Sequence, residues 1–255
     1  MATERVTPPE NWLCYYGTAP VPHRYAAFDL IVFDGYYHPP LDFRSDDRPR
    51  ILGYLSVGEI DGTGPYWDRV KDMACIVRKN SRWNSWIVDV RDPAWQELIF
   101  TTFIPSIMDD GFDGLFLDTF DSALALDDVE DIRQSLVSLV KRIGNLFPGL
   151  HLAVNRGLPV LPDIAHDIDY LVVEGLSSVY NVTDGAYVTV DGYTQNFLLE
   201  QIESGLALRP RLPVLTLDYA SQDQADLRTE ALSFSRKKGF IPYVGTHNLD
   251  EICLR

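Results

Sequence analysis

Eight short apolar runs, four to six residues long, recur through this chain, separated by longer stretches of helical periodicity or loop composition. That is the pattern of repeated βα units. The runs predict strands over 13–16, 30–33, 51–56, 114–117, 152–155, 170–174, 214–218 and 240–244. Eight strands in 255 residues, nearly all alternating with helices, predict a (β/α)8 TIM barrel of the α/β class rather than a doubly wound sheet. A ninth short run, 86–90, lies in a long insertion from Gly58 to Asp92 and predicts one extra short strand after strand three. No linker, composition shift or longer repeat divides the chain, so residues 1–255 are expected to form one domain.

Helix punctuation agrees with this reading. Asp92 as N-cap, Pro93 in the first turn and Gly111 past the end predict a helix over 93–110. Ile132, Leu136, Leu139, Val140, Ile143 and Phe147 fall on one stripe before Pro148 and Gly149, which predicts another. Two more are expected over 195–208 and 222–237.

Composition limits the partners. With 22 basic residues against 37 acidic ones the net charge is -15, and the acidity is spread along the chain. A nucleic-acid partner is not expected, because a phosphate backbone would be repelled; a neutral or cationic substrate fits better. Cys14, Cys75 and Cys253 are odd in number and widely spaced, which suggests neither a disulfide framework nor a zinc site. The apolar stretches are strand-sized, shorter than the ~20 residues of a membrane span, and the N-terminus has no apolar signal core. No membrane span and no export signal are expected in the chain as it stands.

The segment from Gly111 to Asp121 joins a helix stop, the apolar strand Leu115-Phe116-Leu117 and two carboxylates. An acidic side chain is poorly tolerated inside a buried parallel strand, so Asp118 at its C-terminal tip is expected to emerge into a cleft. In this register the strand tips carry Tyr15, Tyr16, Asp34, Ser56, Glu59, Asp118, Asp121, Asn155, Arg156, Glu174, Asp218 and Thr246. Any one Asp or Asn there is more often a helix cap than a catalyst. Six strands delivering a carboxylate or amide to one rim are harder to explain as caps.

Asp118 and Glu174 end strands four and six, and tips two strands apart face each other across a barrel mouth. Two carboxyls at that spacing can flank a glycosidic bond, one protonating the leaving oxygen while the other stays ionised. Glu174 follows Leu171-Val172-Val173, so desolvation favours it as the acid. Asp118, expected near Arg156, is assigned as nucleophile or base. Tyr54, Tyr66, Trp67, Trp83 and Trp86 near the insertion, and Tyr180, Tyr187 and Tyr193 after strand six, supply rings that could stack on sugars. Core packing is the plainer explanation for any single ring, Trp86 above all.

Other chemistries lack their parts. No GxGxxG, GxxxxGK[ST], HExxH or GxSxG motif occurs, and the five histidines have no metal-ligand spacing. Neither a metal nor a cofactor is expected.

Together, Tyr54 to Glu59, Val88-Asp89 with Asp92-Pro93-Ala94-Trp95, Gly114 to Ser122, Asn155-Arg156-Gly157, Val173-Glu174 and Leu217-Asp218-Tyr219 resemble a known family. The chain is similar to the PelA-type glycoside hydrolase domains of Pel polysaccharide proteins and, more distantly, to the endo-α-1,4-polygalactosaminidase family. The resemblance runs from about Tyr15 to Leu249 with the motifs in order. It implies endo-hydrolysis of α-1,4-linked galactosamine or N-acetylgalactosamine polymers, with Asp118 and Glu174 as the catalytic pair. It also implies that Glu59, Asp121, Asn155 and Asp218 line the cleft, where the strand reading expects Tyr16, Asp34, Tyr54 and Arg156 to bind substrate beside them, and an extracytoplasmic or secreted setting. A partly deacetylated polymer is cationic, which would give the -15 charge a purpose. Two alternatives stay open: a non-catalytic carbohydrate-binding barrel, and a glycosidase for a neutral α-galactan.

Overall fold

A computed structural model describes residues 7–43 and 49–253; residues 1–6, where most of the N-terminal signal expectation falls, lie outside the described residues. In chain order its strands are β1 (Trp12–Tyr15), β2 (Leu30–Asp34), β3 (Arg50–Ser56), β4 (Glu59–Asp61), β5 (Ile76–Asn80), β6 (Ser85–Val88) and β7 (Gly114–Asp118). They continue as β8 (His151–Asn155), β9 (Tyr170–Glu174), β10 (Ser178–Asn181), β11 (Ala186–Thr189), β12 (Val214–Tyr219) and β13 (Ile241–Gly245).

Eight of them form one parallel sheet in the order β1-β2-β3-β7-β8-β9-β12-β13. The ends come together: Trp12 Nε1 donates to Ile241 O at 3.0 Å, and Tyr16 N donates to Leu249 O at 2.7 Å. The fold is a (β/α)8 barrel, and all eight expected strands occur within a residue or so of their expected bounds. Their continuous apolar runs are buried on both faces, as a helix-wrapped parallel sheet requires. Gly53 on β3 shows how tightly the helical layer is docked. A Cβ there would meet Ile107 Cγ2 at 2.5 Å.

Asp92 caps the helix after the insertion, its Oδ1 accepting from Ala94 N at 2.8 Å and Trp95 N at 3.0 Å. That helix is not uniform. It runs as Pro93–Leu98, a π-helical turn Ile99–Phe103, then Ile104–Asp109, with Gly111 left-handed beyond it. Pro105 has no N–H to return to residue 101, and a widened turn accommodates the missing bond.

The insertion differs from expectation. In place of one extra strand it holds a three-stranded antiparallel sheet, β4-β6-β5. β5 was missed because Ile76–Asn80 is mostly exposed and polar, so no apolar run marks it. The segment after β9 is likewise an antiparallel hairpin, β10 on β11, where a loop was expected. Both additions stand over the C-terminal ends of the barrel strands and wall the cleft.

Candidate active site at the barrel mouth

Register decides which side chains face the barrel axis. In parallel pairing, partners point the same way and neighbours along a strand alternate. Ser56 pairs with Asp118, Leu117 with Val154, Asn155 with Val172, and Leu217 with Glu174. Tyr54, Asp118, Asn155, Glu174 and Tyr219 therefore share one side, whereas Asp218 points the other way. Three of these tips are followed at once by a left-handed residue: Thr119 (φ 68), Arg156 (φ 53) and Gly175 (φ 66). The chain thus turns sharply off the strand and leaves the last side chain at the mouth.

Thr119 is β-branched, so a positive φ strains it. Its hydroxyl offsets this by donating to Asp118 O at 2.6 Å and accepting from Gly58 N at 2.8 Å, with Ser56 Oγ also at 2.8 Å. Val57 N adds a bond to Asp118 O at 3.0 Å. The turn carrying Asp118 is clamped to the start of the insertion.

Asn155 is the centre of the site. Its Nδ2 donates to Asp118 Oδ1 at 3.0 Å and to Glu174 Oε2 at 2.9 Å. Two bonds laid end to end limit those oxygens to about 6 Å apart, inside the range in which paired carboxyls act on one glycosidic bond. Tyr219 hydroxyl donates to Glu174 Oε1 at 2.8 Å. Burial, followed by the negative charge of Glu174, pushes Asp118 up to about 6; hydrogen bonds from Thr119, Tyr54 and Asn155 oppose the rise. Burial also raises the Tyr16, Tyr54 and Tyr219 hydroxyls well above their ordinary 10.0, which keeps them protonated as donors.

Two expectations about this pair need correction. Arg156 does not lie on Asp118: its Nε and Nη2 donate to the backbone Glu174 O at 3.1 and 2.7 Å, and its Nη1 lies 3.6 Å from Asp121 Oδ2. Asp118, expected to stay charged beside Arg156, is raised by desolvation.

The cleft has a volume of about 1030 Å³ and is lined by Tyr16, Asp34, Tyr54, Glu59, Asp118, Asp121, Asn155, Arg156 and Glu174 among others. Asp34 Oδ1 accepts from Tyr36 N and Tyr37 N, both at 2.8 Å, and burial raises its pKa. Tyr16 meets Tyr54 edge to face with centroids 5.4 Å apart. Two expected substrate contacts are otherwise engaged. Asp218 is fully buried outside this lining, and its Oδ1 accepts from Ser177 N at 2.6 Å and Ser178 N at 2.9 Å. It fastens the turn after Glu174. Glu59 borders the cleft, but its carboxylate already accepts from Asn80 Nδ2 at 3.1 Å and from the Ser85 and Ser122 hydroxyls, joining β5, β6 and the helix Phe120–Leu124.

Of the aromatics, Tyr54, Tyr66, Trp83 and Tyr180 line the cleft. Trp67 and Trp86 instead stack on each other at 5.4 Å, and Tyr193 is 84% exposed away from it. Sequence reasoning missed Tyr219 and His247. Strand alternation would have found Tyr219, because only one of the neighbours Asp218 and Tyr219 can face the axis. Among the described residues no group of three or more His, Cys, Asp and Glu is placed to hold a metal, and no helix is long and apolar enough to cross a membrane.

Comparison with known proteins bears on this geometry. The model of glycoside-hydrolase family GH114 matches residues 1–255. The chain is 27% identical to the glycoside hydrolase domain of PelA from Pseudomonas aeruginosa, with a TM-score of 0.85 over 96% of this chain and 97% of that one. It shares its fold with Aspergillus fumigatus Ega3, solved in complex with galactosamine, at 15% identity and a TM-score of 0.74 over 99% and 98% of the two chains. An uncharacterized protein of Deinococcus radiodurans is 26% identical over 243 residues, 89% of this chain and 76% of that protein.

Proposed function

Because the chain belongs to glycoside-hydrolase family GH114, we propose that this glycoside hydrolase cuts within α-1,4-linked galactosamine or N-acetylgalactosamine polysaccharides, using Asp118 and Glu174. The observation that carries the pair is the Asn155 amide bridging both carboxyls at 3.0 and 2.9 Å. Carboxyls ~5 Å apart suit retention, in which one is the nucleophile; inversion needs more room for a water.

Asp118 is assigned as nucleophile. At about 6 its pKa leaves it mostly ionised at neutral pH, and three donors point at it. On this reading Glu174, held by Asn155 and Tyr219, serves as the acid and then the base. Asp118 attacks the anomeric carbon as Glu174 protonates the departing glycosidic oxygen, giving a glycosyl ester on Asp118 and a free chain end. Glu174 then takes a proton from water, whose oxygen displaces Asp118 from the sugar. Tyr219 holds one Glu174 oxygen, so the carboxyl presents a fixed face through both steps.

The PelA and Ega3 relationships and the galactosamine bound to Ega3 support the choice of sugar. A net charge of -15 would draw a partly deacetylated, cationic chain toward the cleft. On this reading residues 1–255 work as one catalytic domain on polysaccharide outside the cytoplasm. Incubation with a partly deacetylated α-1,4-galactosaminoglycan should release short oligosaccharides, and Asp118→Asn and Glu174→Gln should each lower the rate by at least ~10²-fold. No release by the unaltered protein, with binding equal in all three, would instead favour a carbohydrate-binding barrel.

A further inference from the structure

The sheet inserted after β3 reaches across the mouth at its tip. Trp83, in the turn between β5 and β6, meets His247, in the loop after β13, with ring centroids 5.4 Å apart. His247 in turn stacks on Tyr180 of β10 at 4.3 Å and 22°. Tyr187 hydroxyl accepts from His247 N at 3.0 Å and fixes that loop. The Arg82 guanidinium lies over the Trp83 ring, 5.2 Å from its centroid. Arg82, Trp83, Tyr180 and His247 all line the cleft, and three separate parts of the chain contribute them.

Charge is what sets this end apart. In a chain carrying 37 acidic residues, no hydrogen bond or ion pair joins either the Arg82 or the His247 side chain to a carboxylate among the described residues. One face of each ring that could attract an ammonium group is also covered, Trp83 by Arg82 and Tyr180 by His247. A free-amine sugar placed here would meet the like charge of Arg82, with those ring faces already covered. An N-acetyl group suits the same spot: its carbonyl can accept from the guanidinium, and its methyl can rest on the aromatic edges.

Resting on the galactosamine reading above, we propose that Arg82, Trp83, Tyr180 and His247 form a subsite for an N-acetylated, uncharged hexosamine residue and discriminate against a free-amine one. The enzyme then reads acetylation pattern and cuts a mixed polymer at a preferred distance from N-acetylated residues.

The test compares fully deacetylated and half-acetylated α-1,4-galactosamine oligosaccharides of one length. For the unaltered protein and Arg82→Glu, kcat/KM is measured on each, and the products are sequenced by mass spectrometry. The proposal expects the unaltered protein to favour the half-acetylated set, with N-acetyl groups enriched at one fixed position from the cut. Reversal of charge in Arg82→Glu should shift the ratio toward the free-amine set by about tenfold, equivalent to ~1.4 kcal/mol. Arg82→Met, which keeps the aliphatic stem, should abolish the preference without reversing it. An unchanged ratio in Arg82→Glu, or preferred binding of a uronic acid oligosaccharide, would overturn it. Should neither set be cut, the galactosamine reading fails at the chemistry. Calorimetry of the two sets on the unaltered protein and Arg82→Glu still decides the subsite, because equal affinities refute it.

Discussion

Asn155 gives one amide hydrogen to Asp118 and the other to Glu174, so a single 4%-exposed side chain sets the spacing of both carboxyls. Its Oδ1 has no partner, so both bonds depend on the NH2 end. Asn155→Ala should therefore lower kcat about 10- to 100-fold, with a smaller change in KM, because the pair drifts while the cleft remains. Asn155→Asp should do worse, since a third carboxylate between two others repels both. Steady-state kinetics on one oligosaccharide would check both, and activity near the unaltered level in Asn155→Ala would count against the bridge.

pH dependence follows from Asp118. As the proposed nucleophile it must be ionised, so kcat/KM should fall as pH drops through about 6. A profile that instead falls as pH rises through about 6 would make Asp118 the acid and reverse the two roles.

Stability should carry the opposite signature. A carboxyl raised from 3.8 to about 6 binds its proton more tightly in the folded chain, so its stabilisation is full below the lower value and is lost as pH climbs through the upper one. Asp118 and Asp218 both behave this way because desolvation raises both. At pH 8 Asp118→Asn should raise stability by ~1–2 kcal/mol, a Tm gain of a few degrees, and the gain should vanish at about pH 3. Calorimetry at the two pH values tests this; an equal Tm change at both would show that burial of the charge is not the cause.

Gly175 turns the chain immediately after Glu174 at φ 66, and a Cβ there would meet Val179 Cγ1 at 2.7 Å. Gly175→Ala should cost ~1–3 kcal/mol and displace Glu174, lowering kcat more than Thr183→Ala on the same hairpin. Denaturant unfolding together with kinetics checks this, and wild-type values for Gly175→Ala would contradict it.

Asp218→Ala should release Ser177 N and Ser178 N and loosen that same turn. We expect kcat to fall about tenfold or more with KM nearly unchanged, since Asp218 lies outside the cleft lining. A large rise in KM with kcat intact would instead place it on the substrate.

The barrel was legible because each of its strands is a buried apolar run, and no other alternation of eight such runs with helices fits the length. The added strands β5, β10 and β11 were not, since their side chains are half-exposed and mixed in polarity. Asp118 and Glu174 stood out as acids that end apolar strands. Glu59 and Asp218 looked the same in the sequence. What separates them is the partner set: serine hydroxyls and an asparagine for one, two backbone amides for the other, all brought in by distant segments. The pairing of Trp83 with His247 spans more than half the chain and left no local signal.

The geometry of Asp118, Asn155 and Glu174 makes one further commitment, and the first product formed reports on it. Proton NMR of an α-linked galactosamine oligosaccharide, followed from the moment the protein is added, reads the anomeric configuration before mutarotation. The α-anomer should appear first and the β-anomer only later, because the two Asn155-bonded oxygens, no more than about 6 Å apart, match the spacing of a retaining pair. Initial release of the β-anomer would contradict the assignment of Asp118 and Glu174 as a nucleophile and acid bridged by Asn155.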